Sequence, residues 1–134
     1  MNIDQAKNLS HSFRLAADRN LEQRQLPNSQ LQMLAVPGVV CMAFSIELGF
    51  KAMLLQAGGS PRGHDLSKLF SSLLASKQAT LVASVGANRS AFDSSLANAS
   101  RVFEEWRYIY EAQNASVDMA FLTSLADAVQ REIL

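Results

Sequence analysis

Glu47 and Lys51 stand four residues apart in the run Ile46-Glu47-Leu48-Gly49-Phe50-Lys51-Ala52-Met53-Leu54-Leu55. On a helix that spacing puts both side chains on one face, with the acid on the favourable N-terminal side of the base. The same face also carries Val40, Phe44, Leu48 and Leu55, so it is apolar. A buried charge without a partner is costly or neutralises itself, so each of these groups must bond the other or something on a neighbouring segment. Two chemistries fit. The pair is an internal ion pair that sets helix register, or one member faces a polar cleft and contacts a ligand.

A second constellation lies in Arg101 to Glu111. With Val102, Phe103, Trp106, Ile109 and Tyr110 on the buried side, the opposite face holds Arg101, Glu104, Arg107, Tyr108 and Glu111. An arginine beside a tyrosine can grip a phosphate and stack on a base. The same two residue types are also enriched in protein interfaces. His64 is the third candidate. It follows Pro61-Arg62-Gly63 and precedes a helix start, where free backbone donors attract anions, so Arg62 and His64 are placed to help bind a phosphate. Alternatively His64 orders its loop by bonding a neighbouring helix or a carboxylate such as Glu47. His11 has no partner at ligand spacing and receives no role.

The elements that position these residues read as helices. Ile3, Ala6, Leu9, Phe13 and Ala16 or Ala17 recur at helical spacing, predicting a helix over about 2–23 that Leu26-Pro27-Asn28-Ser29 ends. A short helical turn is expected before Pro37-Gly38. The segment of about 37–57 is apolar on every side, which marks the centre of a bundle, and Pro37 suits its first turn. Gly58-Gly59-Ser60-Pro61-Arg62-Gly63 is a loop. Asp65 has the residue type and position of an N-cap for a stripe of Leu66, Leu69, Phe70, Leu73 and Leu74. From Ser76 to Ala99 the pattern weakens and allows one helix, or two broken at Gly86. Val117, Ala120, Phe121, Leu125, Ala128 and Val129 define the last helix. A single all-α domain over 1–134 follows, an up-and-down bundle of four to six helices.

Composition narrows the function. At 134 residues the chain can bury one core; with 49% hydrophobic and 18% charged residues it is globular. Twelve basic residues balance twelve acidic ones, so the broad basic footprint of a duplex-binding protein is missing, and near-zero charge favours self-association. One cysteine, Cys41, in an apolar run, is expected to be a small buried side chain. The apolar stretch from Val36 to Leu55 is interrupted by Pro37, Glu47 and Lys51, which favours a core helix over a membrane span. A cytoplasmic address without membrane attachment is the expectation. No metal-ligand spacing, phosphate-loop signature or nucleophile elbow occurs, so neither a metal site nor a cofactor is expected.

Three stretches together resemble the HEPN superfamily of small helical domains. They are Ala35-Val36-Pro37 with Ala43 through Leu54, then Gly63-His64-Asp65-Leu66-Ser67-Lys68-Leu69, then Phe103 through Glu111. The resemblance implies a helical bundle that pairs into a homodimer. It also implies either metal-independent RNA cleavage by an Arg followed four to six residues later by a His, or binding of nucleotide, RNA or a protein partner, as in bacterial defence and toxin–antitoxin systems. The nuclease spacing is absent here: no arginine precedes His11, and Arg62 lies only two residues before His64. The expectation is therefore a non-catalytic binding domain. Glu47, Lys51, His64, Arg107, Tyr108 and Glu111 would gather in one polar cleft, the cations taking phosphate and Tyr108 stacking. A ribonuclease with a diverged site and a structural dimerisation module are the alternatives.

Overall fold

The computed structural model describes residues 1–22, 24–28, 31–32, 35–106 and 118–134. Six helices make up almost all of it: α1 Ile3–Leu21, α2 Ala35–Gln56, α3 Leu66–Ser71, α4 Ala75–Val85, α5 Arg89–Trp106 and α6 Met119–Ile133. The protein is an all-α helical bundle. Where a short helical turn was expected after α1, a two-residue antiparallel pair forms instead, β1 Arg24–Gln25 against β2 Leu31–Gln32, with Gln25 opposite Leu31. Pro27 and Asn28 form a turn between them. That turn brings the two flanks side by side, so their backbone groups pair across the hairpin rather than along a helix.

α2 is the central helix and packs against α1, α3, α5 and α6. Val36–Gln56 has a mean hydropathy of 1.7, long and apolar enough to cross a membrane, but 78% of its most apolar window is buried inside this fold. α1 and α2 run antiparallel, as shown by contacts that pair Ser10 with Ser45 and Phe13 with Phe44. Their approach is close because the facing residues are small. Ala6, Ser10 and Ala17 are the buried positions of α1, whereas Leu9, which the periodicity places on the apolar stripe, is 44% exposed. A leucine at the seam would hold the helices apart; the seam takes Ala and Ser, and Leu9 turns outward.

Two hydroxyls staple that seam. Ser10 Oγ donates to the Ser45 carbonyl at 2.7 Å, and Ser45 Oγ donates to the Ser10 carbonyl at 2.8 Å. Gln130 of α6 donates from Nε2 to Ser10 Oγ at 2.9 Å and reaches Ser45 Oγ at 3.2 Å. Its Oε1 bonds His11 Nδ1, so His11 has a structural partner that spacing along the chain does not reveal. The two buried serine hydroxyls of this three-helix junction are thereby bonded, which is the condition for burying them.

Aromatic rings join the remaining helices. Phe50, Phe70, Phe92 and Phe121 follow one another at 5.9, 4.7 and 5.4 Å between centroids, linking α2, α3, α5 and α6. The weakly patterned middle resolves into two helices. Gly86 adopts φ 78°, and its N–H closes α4 on the Ala83 and Val82 carbonyls. A left-handed residue there is cheap only for glycine. Asn88 then starts α5, its Oδ1 accepting from the Ala91 N–H at 2.8 Å.

Asp65 is the N-cap of α3, as its position suggests. Its Oδ1 accepts from the N–H groups of Ser67 and Lys68 at 3.0 and 3.2 Å. Ser100, buried on α5, accepts the Leu66 N–H at 3.1 Å and lies 3.4 Å from the same Asp65 oxygen. Because α3 is only six residues long, Asp65→Ala should cost about 1 to 2 kcal/mol of unfolding free energy, the upper part of the range for lost caps. Asp65→Asn, which keeps the acceptor, should retain most of it in the same urea titration; equal losses would show that charge rather than capping matters.

Candidate functional site

Glu47 is where the candidate residues meet. α2 is apolar all round, and its Glu47 position is carried into the core to 2% exposure. The carboxylate has two partners. Oε2 lies 3.3 Å from Lys51 Nζ, one turn along the same helix, and Oε1 lies 2.9 Å from His64 Nδ1. Lys51 is itself 9% exposed, whereas the His64 side chain is 54% exposed. Gly63, at φ 85°, turns the loop so that the next residue faces back to α2; a side chain at that position would strain the turn. Glu47 thus has an anchor on its own helix and another on the loop that precedes α3.

The free backbone donors expected at the start of α3 are occupied. Asp65 and Ser100 take the N–H groups of Leu66, Ser67 and Lys68, so any anion held here is held by side chains. Those side chains border two clefts that share the loop Ser60-Pro61-Arg62. One, of about 230 Å³, is lined by Met1, by Lys51 and Leu55 of α2, and by Ser60, Pro61 and Arg62. The other, of about 310 Å³, has the same three loop residues with Leu54, Gly59, Lys68, Leu69 and Ser72. Arg62 and Lys68 are exposed, and among the described residues neither makes an ion pair. His64 lines neither cleft; it holds the opposite end of the Glu47 carboxylate.

Three of the six sequence-derived candidates, Glu47, Lys51 and His64, are therefore brought together, and of these Lys51 lines one of the two clefts described. Arg107, Tyr108 and Glu111 lie outside the described residues, as do Ile109, Tyr110 and Val117. Arg62 is the cleft residue missing from that set of six. Its signal was present, a cation in a Gly/Pro loop, but a loop cation has no periodicity to say which way it faces.

Other chemistry-bearing groups have structural surroundings. Cys41 is half-buried, and burial pushes its thiol above the usual range, so the nucleophilic thiolate is scarce near neutral pH. Arg14 bonds Asp127 at 3.0 Å, Asp18 at 3.3 Å and the Met42 sulfur at 3.0 Å, tying α1 to α6 and α2. Among the described residues no cluster of three His, Cys, Asp or Glu side chains is placed to hold a metal ion. No family model, characterised protein or solved structure matches this chain.

Proposed function

We propose that this chain is a non-catalytic, HEPN-like helical domain that binds the phosphate of a nucleotide or of RNA at the cleft beside Ser60-Pro61-Arg62. The observation that carries the reading is a paid-for cation. Lys51 is desolvated against Glu47 yet also forms part of a cleft wall beside the guanidinium of Arg62, which has no ion-pair partner among the described residues. A lysine needed only for helix register has no reason to border a cleft with a second cation. Lys51 supplies a point charge and Arg62 a fork of donors, the combination that phosphate oxygens accept. Glu47 fixes the lysine from below, and Arg107, Tyr108 and Glu111 belong to the same reading as further phosphate, stacking and orienting groups. Homodimerisation and membership of a bacterial defence or toxin–antitoxin pair extend it.

Titration calorimetry with ATP and with a short single-stranded RNA tests the proposal. Arg62→Ala touches no core contact and should weaken binding about tenfold, the loss of roughly one charge-assisted hydrogen bond, at unchanged thermal midpoint. Arg107→Ala should weaken it as well. Unchanged affinity in both variants, or no binding by the parent protein, overturns the reading.

One observation favours a second reading, a metal-independent ribonuclease with a diverged site. Glu47 engages His64 through Nδ1, and among the described residues Nε2 makes no bond, so a half-exposed imidazole is oriented by a buried carboxylate. That is the arrangement of an acid–base histidine. RNA cleavage that survives a chelator and disappears in His64→Ala would select this alternative.

A further inference from the structure

The two clefts flank one loop. Leu54 lines the larger and Leu55 the smaller; consecutive helix residues point roughly 100° apart, so the clefts open on adjacent sides of the α2 terminus. Ser60, Pro61 and Arg62 border both. Each cleft adds one lysine of its own, Lys51 on one side and Lys68 on the other. The loop is held in place. The Gly59 N–H donates to the Leu54 carbonyl at 2.9 Å, Pro61 has a fixed φ, and α3, which carries Lys68, is pinned by Asp65 and Ser100. Here a chain whose formal net charge is zero gathers three cations around three loop residues.

From this placement we infer that the site takes two linked phosphates rather than one. One is held by Lys51 and Arg62, the other by Arg62 and Lys68. A guanidinium presents donors along two edges, so Arg62 can serve both groups at once with a fixed geometry. The shared chemistry is a diphosphate unit, found in nucleoside di- and triphosphates; consecutive phosphates of an RNA strand offer the same two charges at wider spacing. The inference deepens the phosphate-binding reading above and rests on it.

The intact protein is titrated with orthophosphate, pyrophosphate, ADP and a single-stranded RNA hexamer. Pyrophosphate should bind about tenfold more tightly than orthophosphate, the worth of one further charge-assisted contact. In Lys68→Ala, a surface change on α3, that ratio should fall close to one; in Arg62→Ala both anions should weaken. ADP matching pyrophosphate identifies the nucleotide as source. A hexamer whose affinity depends on Lys68, with a salt slope reduced by about 0.7 in Lys68→Ala, identifies the strand instead. Equal binding of orthophosphate and pyrophosphate, or a preference indifferent to Lys68→Ala, overturns the two-phosphate site but leaves the single-phosphate reading standing. Failure of every anion to bind removes both.

Discussion

Glu47→Ala is expected to lower the unfolding free energy by about 3 to 5 kcal/mol, the range for deleting one member of a buried ion pair. That is a large share of the roughly 5 to 15 kcal/mol that holds a small domain together. The loss has two parts. Lys51, 9% exposed, is left with a charge near the core and no carboxylate, and His64 loses the bond that fastens its loop to α2. Replacing both charges at once should behave differently. Glu47→Leu combined with Lys51→Met fills similar volume with apolar atoms and removes the desolvation cost, so it should recover most or all of the stability. Urea titrations of the three proteins measure this directly. The double variant then separates structure from function: it should fold, yet bind phosphate more weakly for want of Lys51. A single variant as stable as the parent would mean that the pair is not desolvated in the way its burial indicates.

Gly49→Ala should be nearly as damaging, for a steric reason. A Cβ at Gly49 would fall 2.1 Å from Val129 Cγ1 and 3.3 Å from Ser10 Oγ. Val129 is fully buried and, as a β-branched residue in a helix, has one strongly preferred rotamer, so it cannot swing aside. Overpacking a dense core costs about 1 to 3 kcal/mol, and the upper end applies where backbone must move. Normally alanine stabilises a helix by about 1 kcal/mol relative to glycine, so the expected sign is opposite to the propensity rule. Val129→Ala removes the clashing methyl groups. Combined with Gly49→Ala it should show a favourable coupling of more than about 1 kcal/mol in a double-mutant cycle. Additive effects would place the contact elsewhere.

Gly49 illustrates why part of this molecule could be read along the chain and part could not. Its neighbours in sequence say only that a glycine interrupts an otherwise strong helix. Its purpose depends on Val129, eighty residues away, and on Ser10 of α1. The same holds for Ser10, Ser45, Gln130 and His11: each is an ordinary polar residue in its own helix, and the network exists only where three helices cross. Leu9 shows the converse error. Its spacing fits the apolar stripe, but stripe membership counts residue types and ignores how close the partner helix comes. Glu47 and Lys51 stood out because charge inside an apolar pattern is costly and must be answered nearby, a local inconsistency visible before any coordinates; His64 stood out by its place between a Gly/Pro loop and a helix start.

Local rules therefore determine the helical class, the central position of α2, the Asp65 cap and the i,i+4 ion pair, because each depends on residues within a turn or two of one another. Long-range packing decides which helices touch, why serine and glycine occupy their seams, and that Arg62 rather than His64 shares a cleft with Lys51. The reason is physical: periodicity and capping act through a few bonded neighbours, whereas the shape of a cleft is set by where separately folded segments come to rest. A side chain on an irregular loop, having no repeat to orient it, acquires its surroundings only from that final arrangement.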